Sequence, residues 1–432
     1  MAAPEVASSG DTAWILTSCA LVLLMTPGLA FFYGGMVQRS NVLNTMMMSI
    51  VTMGMVALPW MFLGFSLAFG GGAGGFIGDL RHAGFNALQG RLWPGTALPA
   101  LLFAVYQMTF CVVGCAIISG SVVERMQFSA YIVFIPIWSV LVYAPVCHWV
   151  WGPDGWIDEM GAKDFAGGTV VHESTAVSAL VLAVLLGPRS MRSAEQSTQA
   201  HNVPIVILGA ALLWFGWSGF NAGSALAANE QAVLALVNTY QAAGASLVTW
   251  ILIERWTAKR YSAVGSVTGA IVGLVLITPG AGLVTPVGAA LIGVLGCVVV
   301  YPAFSINKNR VDDSLDTFPC HGVAGFVGTV LTGLFATEGG LFYGGGFRLV
   351  GAQFVASAAT AAYSAAMTAI IFGILSLVMR MRVTAEVEIA GLDSMLHKEK
   401  AYHTDTAISP SNSFTSNDHD DDHDDDSEVG GA

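Results

Sequence analysis

DFAGGTVVHESTAVSALVLAVLLG (residues 164–187) and DSLDTFPCHGVAGFVGTVLTGLFA (residues 313–336) carry the reading of the whole chain. Each begins with an aspartate, reaches a histidine eight residues later (His172 and His321), and runs on as a long apolar segment with similar small-residue spacing. An ionisable group inside a membrane helix is costly, about 2.5–3.5 kcal/mol for a central charge on insertion scales, and by default marks function. Two of them in matching places point to an internal repeat with a site at its interface.

Composition sets the class. Of 432 residues, 54% are hydrophobic and 11% charged, far below the ~25% charge of a soluble domain. Length alone suggests about three soluble domains, but apolar runs of about 20 residues recur, each able to cross a ~30 Å hydrocarbon core. Hydropathy predicts eleven helices: 12–34, 42–69, 98–122, 129–150, 166–187, 203–223, 231–254, 262–278, 285–304, 317–337 and 350–380. The fold class expected is an all-α polytopic membrane protein. An odd number of spans puts the termini on opposite sides. Arg39, Arg125, Arg189, Arg192, Arg255, Lys259, Arg260, Lys308, Arg310, Arg380, Arg382, Lys398 and Lys400 fall on one side, against Arg81, Arg91, Lys163 and Arg348 on the other. Basic residues favour the cytoplasm, so the N-terminus is expected outside and the C-terminus inside. Five is odd, so helices 1–5 and 6–10 enter from opposite sides as an inverted 5+5 repeat. His172 and His321 occupy equivalent places on helices 5 and 10, and helix 11 straps the bundle. The domains expected are a membrane domain over 1–388 and a cytoplasmic tail over 389–432.

Other features exclude more than they assign. Much of the net charge of −12 sits in NDHDDDHDDDSEVGGA (residues 417–432), expected to be a solvated, disordered tail. Weak metal binding by His419 and His423 is the lesser reading there. No basic stripe points to nucleic acid. The six cysteines form no CxxC pair and read as small buried hydrophobes, so neither a disulfide framework nor a zinc site is implied. MAAPEVASSGDTAW (residues 1–14) lacks the basic start of a secretory signal, so the first apolar stretch reads as a true span. GGGAGG (residues 70–75) is followed by no GKS or GKT and reads as a flexible external loop. Glycines within the spans read as packing. HESTA (residues 172–176) has alanine where a zinc protease needs its second histidine. No cofactor is expected, and no nucleophile, metal set or cofactor loop supports a membrane enzyme. Glu173 receives no firm account beyond a buried hydrogen bond or helix contact.

DFAGGTVVH, together with TPGLAFFYGGMV (residues 26–37), WSGFNAGSA (residues 217–225) and DTFPCHGVAG (residues 316–325), resembles the ammonium transporter family (Amt/Mep, related to Rhesus proteins). The match runs in one register from about residue 12 to residue 402. The Rhesus branch fits less well, because the chain has no extra leading span and keeps the tryptophan motif HWVWG. The resemblance implies a homotrimer in the plasma or inner membrane, each subunit with its own pore. It implies ammonium recruitment at an external vestibule by Trp151 and Ser224, with Phe110, and a gate of two stacked rings, Phe110 and Phe220. Beneath them it implies twin histidines, His172 and His321, sharing a hydrogen bond along the pore. An apolar, partly dry setting disfavours the charged imidazolium, and rings paired through one N–H avoid leaving each other unsatisfied. Asp164 is expected to support the recruitment site from its helix N-terminus, and Asp313, its repeat mate, to cap or brace. Tyr106 and Trp217 join them as supporting residues; Tyr143 and His148 are weaker candidates around the vestibule. The implied mechanism strips ammonium to ammonia, which passes the histidines, and leaves proton co-transfer open. A non-conducting ammonium sensor is the alternative. RVTAEVEIAGLDSMLHKEKAY (residues 382–402) resembles the family's cytoplasmic tail, where a PII signalling protein can dock in bacteria. The family's His-Gly-Glu is here His397, Lys398 and Glu399, which leaves that partner open.

Overall fold

A computed structural model describes residues 6–72, 74–190 and 200–402, without the side chains of residues 308 and 309. The acidic run with His419 and His423, and Arg192, lie outside the described residues. The chain divides into two units, Met1–Ala401 and Tyr402–Ala432, so the whole of the described helical protein up to residue 401 belongs to the first.

Among the described residues, eleven helical spans are long and apolar enough to cross a membrane, and strand pairing is confined to isolated bridges. They are α1 Ser9–Met36, α2 Arg39–Phe69, α3 Ala100–Val122, α4 Phe128–Glu159, α5 Gly168–Leu186, α6 Val203–Gly223, α7 Glu230–Thr257, α8 Ala263–Gly280, α9 Pro286–Asn307, α10 Phe318–Phe335 and α11 Arg348–Ser376. This is the all-α, eleven-span architecture the hydropathy predicts. In α4 the crossing helix stops at Trp151; a turn at Gly152–Gly155 then leads into the short helix Trp156–Glu159, which carries the span past its expected end at residue 150.

Local chemistry starts these helices. Ser8, Asn202, Asn229, Ser262 and Thr285 each accept a backbone N–H in the first turn of α1, α6, α7, α8 and α9. Such caps satisfy donors that lipid could not. α5 and α10 begin differently, and alike. Each opens with a π-helical turn, Gly168–Glu173 and Phe318–Val323, and that turn carries the histidine. Each is capped by an aspartate lying ahead of the helix: Asp164 accepts the N–H groups of Gly167, Gly168, Thr169 and Val170, and Asp313 accepts those of Thr317 and Phe318.

The repeat mates meet across the centre. α1 packs along α6, and a Cβ on Gly209 would come within 2.2 Å of the Phe32 backbone nitrogen, so only glycine permits the approach. α5 and α10 cross through their π-turns, and α11 lies outside the repeat against α4, α5 and α10.

The ends rich in arginine are tied together by ion pairs. Arg189 binds Asp312 at 2.7 Å and also Glu124, all three nearly buried. Burial opposes the Asp312 charge, but the hydrogen bonds and charge of Arg189 win and hold its carboxyl down to about 2. Burial also pulls the Arg125 guanidinium down to about 10. The segment after α11 folds back over this face. Arg382 pairs with Glu388 at 2.6 Å, and Asp393 accepts the N–H groups of Leu43 and Asn44. The expected boundary at residue 388 therefore falls within a short docked helix, Ala385–Ala390.

Candidate functional site

The predicted site residues come from five spans, α3, α4, α5, α6 and α10, and the turns before α5 and α10, and the structure stacks most of them in a column. At its top, Trp151 ends the crossing helix of α4. Its indole Nε1 donates to the Asp164 carbonyl at 2.7 Å, which fixes the ring's direction. Both Asp164 carboxylate oxygens are engaged by backbone N–H groups and by the Thr169 hydroxyl at 2.5 Å. Gly167 lies at φ 112°, a left-handed conformation that lets two consecutive N–H groups converge on one of those oxygens.

Across from Trp151, α6 ends at Ser224. Its hydroxyl donates to the Phe220 carbonyl at 2.8 Å, and the Tyr106 hydroxyl, 3.5 Å away, donates to Gly219 at 2.9 Å. These bonds orient the mouth while leaving the Ser224 oxygen free to accept from an incoming N–H. Phe110, one turn beyond Tyr106 on α3, lies edge-on to Trp151 with centroids 6.0 Å apart. Below, Phe110 and Phe220 stack at 4.2 Å and 26°. Both rings are buried.

Phe220 is followed by His172 at 5.8 Å, and His172 stacks on Trp217 at 5.4 Å and 16°. Trp217 is held by its own N–H to the Thr278 hydroxyl at 3.0 Å. The His172 and His321 Nδ1 atoms are 3.2 Å apart. One of these nitrogens must donate and the other accept, so the contact admits one hydrogen between them. Among the described residues His172 Nε2 has no hydrogen-bond partner, and it is buried. Beside the pair runs a narrow lumen walled by Leu29, Val113, Ile117, Leu213 and Ile271 together with Trp217 and Phe220. It leaves 10 Å³ to the centre of a water-sized molecule, room for about one such molecule at a time. Phe32 lines both this lumen and a cavity of 240 Å³ beyond it, which Glu124, Arg189, Glu254, Asp316 and Cys320 also line.

Not every predicted residue reaches the column. Asp313 braces α10, its oxygens taken by backbone N–H groups, Ser121 and Asn307. His148 is buried behind Trp151, with Nδ1 2.9 Å from the Ala68 carbonyl. The Glu173 carboxylate points to α11 and accepts from Ser357 at 2.8 Å. The aliphatic wall of the lumen and the Thr278 anchor were not singled out in the sequence. Apolar residues of apolar spans carry no mark of which face they take.

A model of the Ammonium Transporter Family matches residues 13–402. An ammonium transporter of Bacillus subtilis is 46% identical over 405 residues, covering 91% of this chain and 98% of its own. Among solved structures, Mep2 of Candida albicans superposes with a TM-score of 0.83 at 31% identity, covering 88% of each chain. A structure titled Sensor Amt Protein does so with a TM-score of 0.83 at 30% identity, covering 90% of this chain and 98% of that one.

Proposed function

The chain belongs to the ammonium transporter family, and from that premise we propose that it takes up ammonium, strips it to ammonia and conducts ammonia past the paired histidines. The protein is a multi-pass membrane protein of a transport family, and its relatives are transporters rather than enzymes.

The observation that carries the reading is the 3.2 Å imidazole contact in an apolar lumen one small molecule wide, behind two stacked phenylalanines. Trp151 offers a ring face to a cation, worth about 0.5–2 kcal/mol depending on desolvation, and the Ser224 oxygen accepts one N–H. The step into the lumen is too costly for a bare cation. Ammonium crosses it by leaving a proton behind; potassium and sodium have none to leave, which gives selectivity without a filter of tuned carbonyls. His172 and His321 then offer a neutral ammonia polar contacts along the aliphatic wall. Asp164 sets the position of Trp151 and of the first turn of α5. Trp151 faces outward in this reading, and three copies assemble with one pore each. Docking of a PII protein on the segment around His397 is a further part of the proposal.

The test is the double variant His172→Ala with His321→Ala in cells lacking their own ammonium uptake. It is expected to abolish ammonium-selective uptake while the protein still assembles; unchanged selective uptake would overturn the assignment. The second reading, a receptor that binds ammonium without conducting it, draws on the likeness to the structure titled Sensor Amt Protein. Wild-type flux in liposomes separates the two.

A further inference from the structure

Beyond the lumen lies the 240 Å³ cavity at the arginine-rich end, and Phe32 lines both. Its charged lining is Glu124, Arg189, Glu254, Arg260 and Asp316. Arg189 pairs with Glu124. Glu254, half-buried near the Thr257 end of α7, takes part in no ion pair among the described residues. Its Oε2 accepts the Ser262 N–H at 3.3 Å. A Cβ on Gly265 would collide with both carboxylate oxygens, so the glycine leaves the room that the carboxylate fills. A reachable carboxylate with no counter-ion is a seat for a cation that can donate hydrogen bonds.

Trp250, one turn earlier on the same face of α7, gives a second and different signal. It lines the cavity and is 4% exposed. Its ring packs edge-on against Tyr301 and Phe304, at 4.8 and 5.0 Å, and Gly269 lies against its Cγ–Cδ2 side. The opposite edge carries Nε1, buried and with no hydrogen-bond partner among the described residues. The indoles of Trp151 and Trp217 both have acceptors. An indole N–H only donates, and a buried one left unpaired calls for an account. The ligand it suits carries a lone pair. Ammonia has one; ammonium has none and suits Glu254.

We propose that this cavity is a second ammonium site, at which Glu254 gathers the cation for conduction in the direction opposite to the one Trp151 serves. It rests on the transport reading above and deepens it. Ammonium entering from the arginine-rich face donates N–H bonds to the Glu254 carboxylate. One N–H bond then breaks, the nitrogen keeps the electron pair, and the proton passes to a water, forming hydronium. The lone pair accepts the Trp250 Nε1–H, and ammonia moves past Phe32 into the lumen. The same steps in reverse receive ammonia that arrives from the Trp151 side. With a cation site at each end, flux saturates from either face with a half-saturation of its own.

The test measures uptake of radiolabelled methylammonium at zero membrane potential, in proteoliposomes sorted by protease access into the two orientations. Glu254→Gln keeps an acceptor for the Ser262 N–H and loses the charge. Half-saturation from the arginine-rich face is expected to rise about threefold or more, while the value from the Trp151 face stays within about twofold of wild type. Trp250→Phe keeps the ring packing and loses the donor. Its uptake at low concentration is expected to fall about twofold or more from both faces alike, because a passive path has one permeability. An unchanged half-saturation in folded Glu254→Gln overturns the proposal, as does an equal shift from both faces. If Glu254→Gln does not fold, Trp250→Phe decides, and unchanged uptake at low concentration overturns the proposal. A wild type that takes up no methylammonium sinks the transport reading itself. The cation site then stands or falls on calorimetric titration with ammonium chloride, in which Trp151→Leu must still bind and Trp151→Leu with Glu254→Gln must not.

Discussion

Both carboxylate oxygens of Asp164 are occupied by the first turn of α5, so the side chain has little left to offer a cation directly. In the proposed recruitment its influence would pass through the backbone: the Trp151 indole hangs on the Asp164 carbonyl. Bonds to a charged acceptor are worth roughly twice neutral ones, and a lost cap costs about 1 kcal/mol. Asp164→Ala is therefore expected to destabilise the protein by about 2–4 kcal/mol and to weaken ammonium recruitment as well, read by melting in detergent and by half-saturation of uptake. Asp158→Ala removes only an exposed 4.0 Å pair with Lys163 and should stay within about 0.5 kcal/mol of wild type. Trp151→Leu keeps bulk but loses the ring face. Its half-saturation should rise about 2- to 30-fold, matching 0.5–2 kcal/mol, with melting little changed; an unchanged half-saturation would remove Trp151 from the recruitment step.

At the scale of elements, α5 and α10 explain what could be read in advance and what could not. An aspartate, eight residues, a histidine and an apolar run were visible twice in the chain, and that spacing places each histidine in the opening turn of its helix. The π-helical winding of those turns was not visible; at α5 it follows four backbone donors gathered on one carboxylate, at α10 two. Nor could the sequence say that Arg189, just beyond α5, would meet Asp312, just before α10. That pair ties the two repeat mates at the arginine-rich end, and it has a pH signature. The Asp312 carboxyl is held at about 2, below its unfolded value of about 3.9. Its stabilisation is thus complete above about pH 4 and is lost as pH falls through about 2. Arg189→Gln takes the shared cation away from two nearly buried carboxylates and should cost about 3–5 kcal/mol at pH 7. The melting gap between wild type and this variant should narrow on acidification below about pH 4; a gap independent of pH would show that the ion pair is not what stabilises this end.

For the whole molecule, the count of spans and the twofold pattern were legible because lipid leaves the backbone few options: each crossing must be a continuous apolar helix. Which faces of those helices meet was not, because leucine and valine pack against lipid and protein alike. Val237 on α7 and Val298 on α9 are exposed while Val113 on α3 lines the lumen, with nothing in their local sequence to separate them. The direction of the molecule rests on a different force. Eleven crossings place the two ends of the bundle on opposite sides, and the Arg189–Asp312–Glu124 cluster, the docked Arg382–Glu388 segment and most remaining basic residues share one of them. On the expectation that basic residues are retained in the cytoplasm, we propose that Trp151, the mouth and the 70–97 connection lie outside. A fluorescent reporter that matures only in the cytoplasm should light up when fused after Ala432, and alkaline phosphatase inserted between α2 and α3 should be active. The opposite pattern would turn the column over, so that the tryptophan end would collect ammonium from the cell interior and the direction of the proposed uptake would have to be reversed.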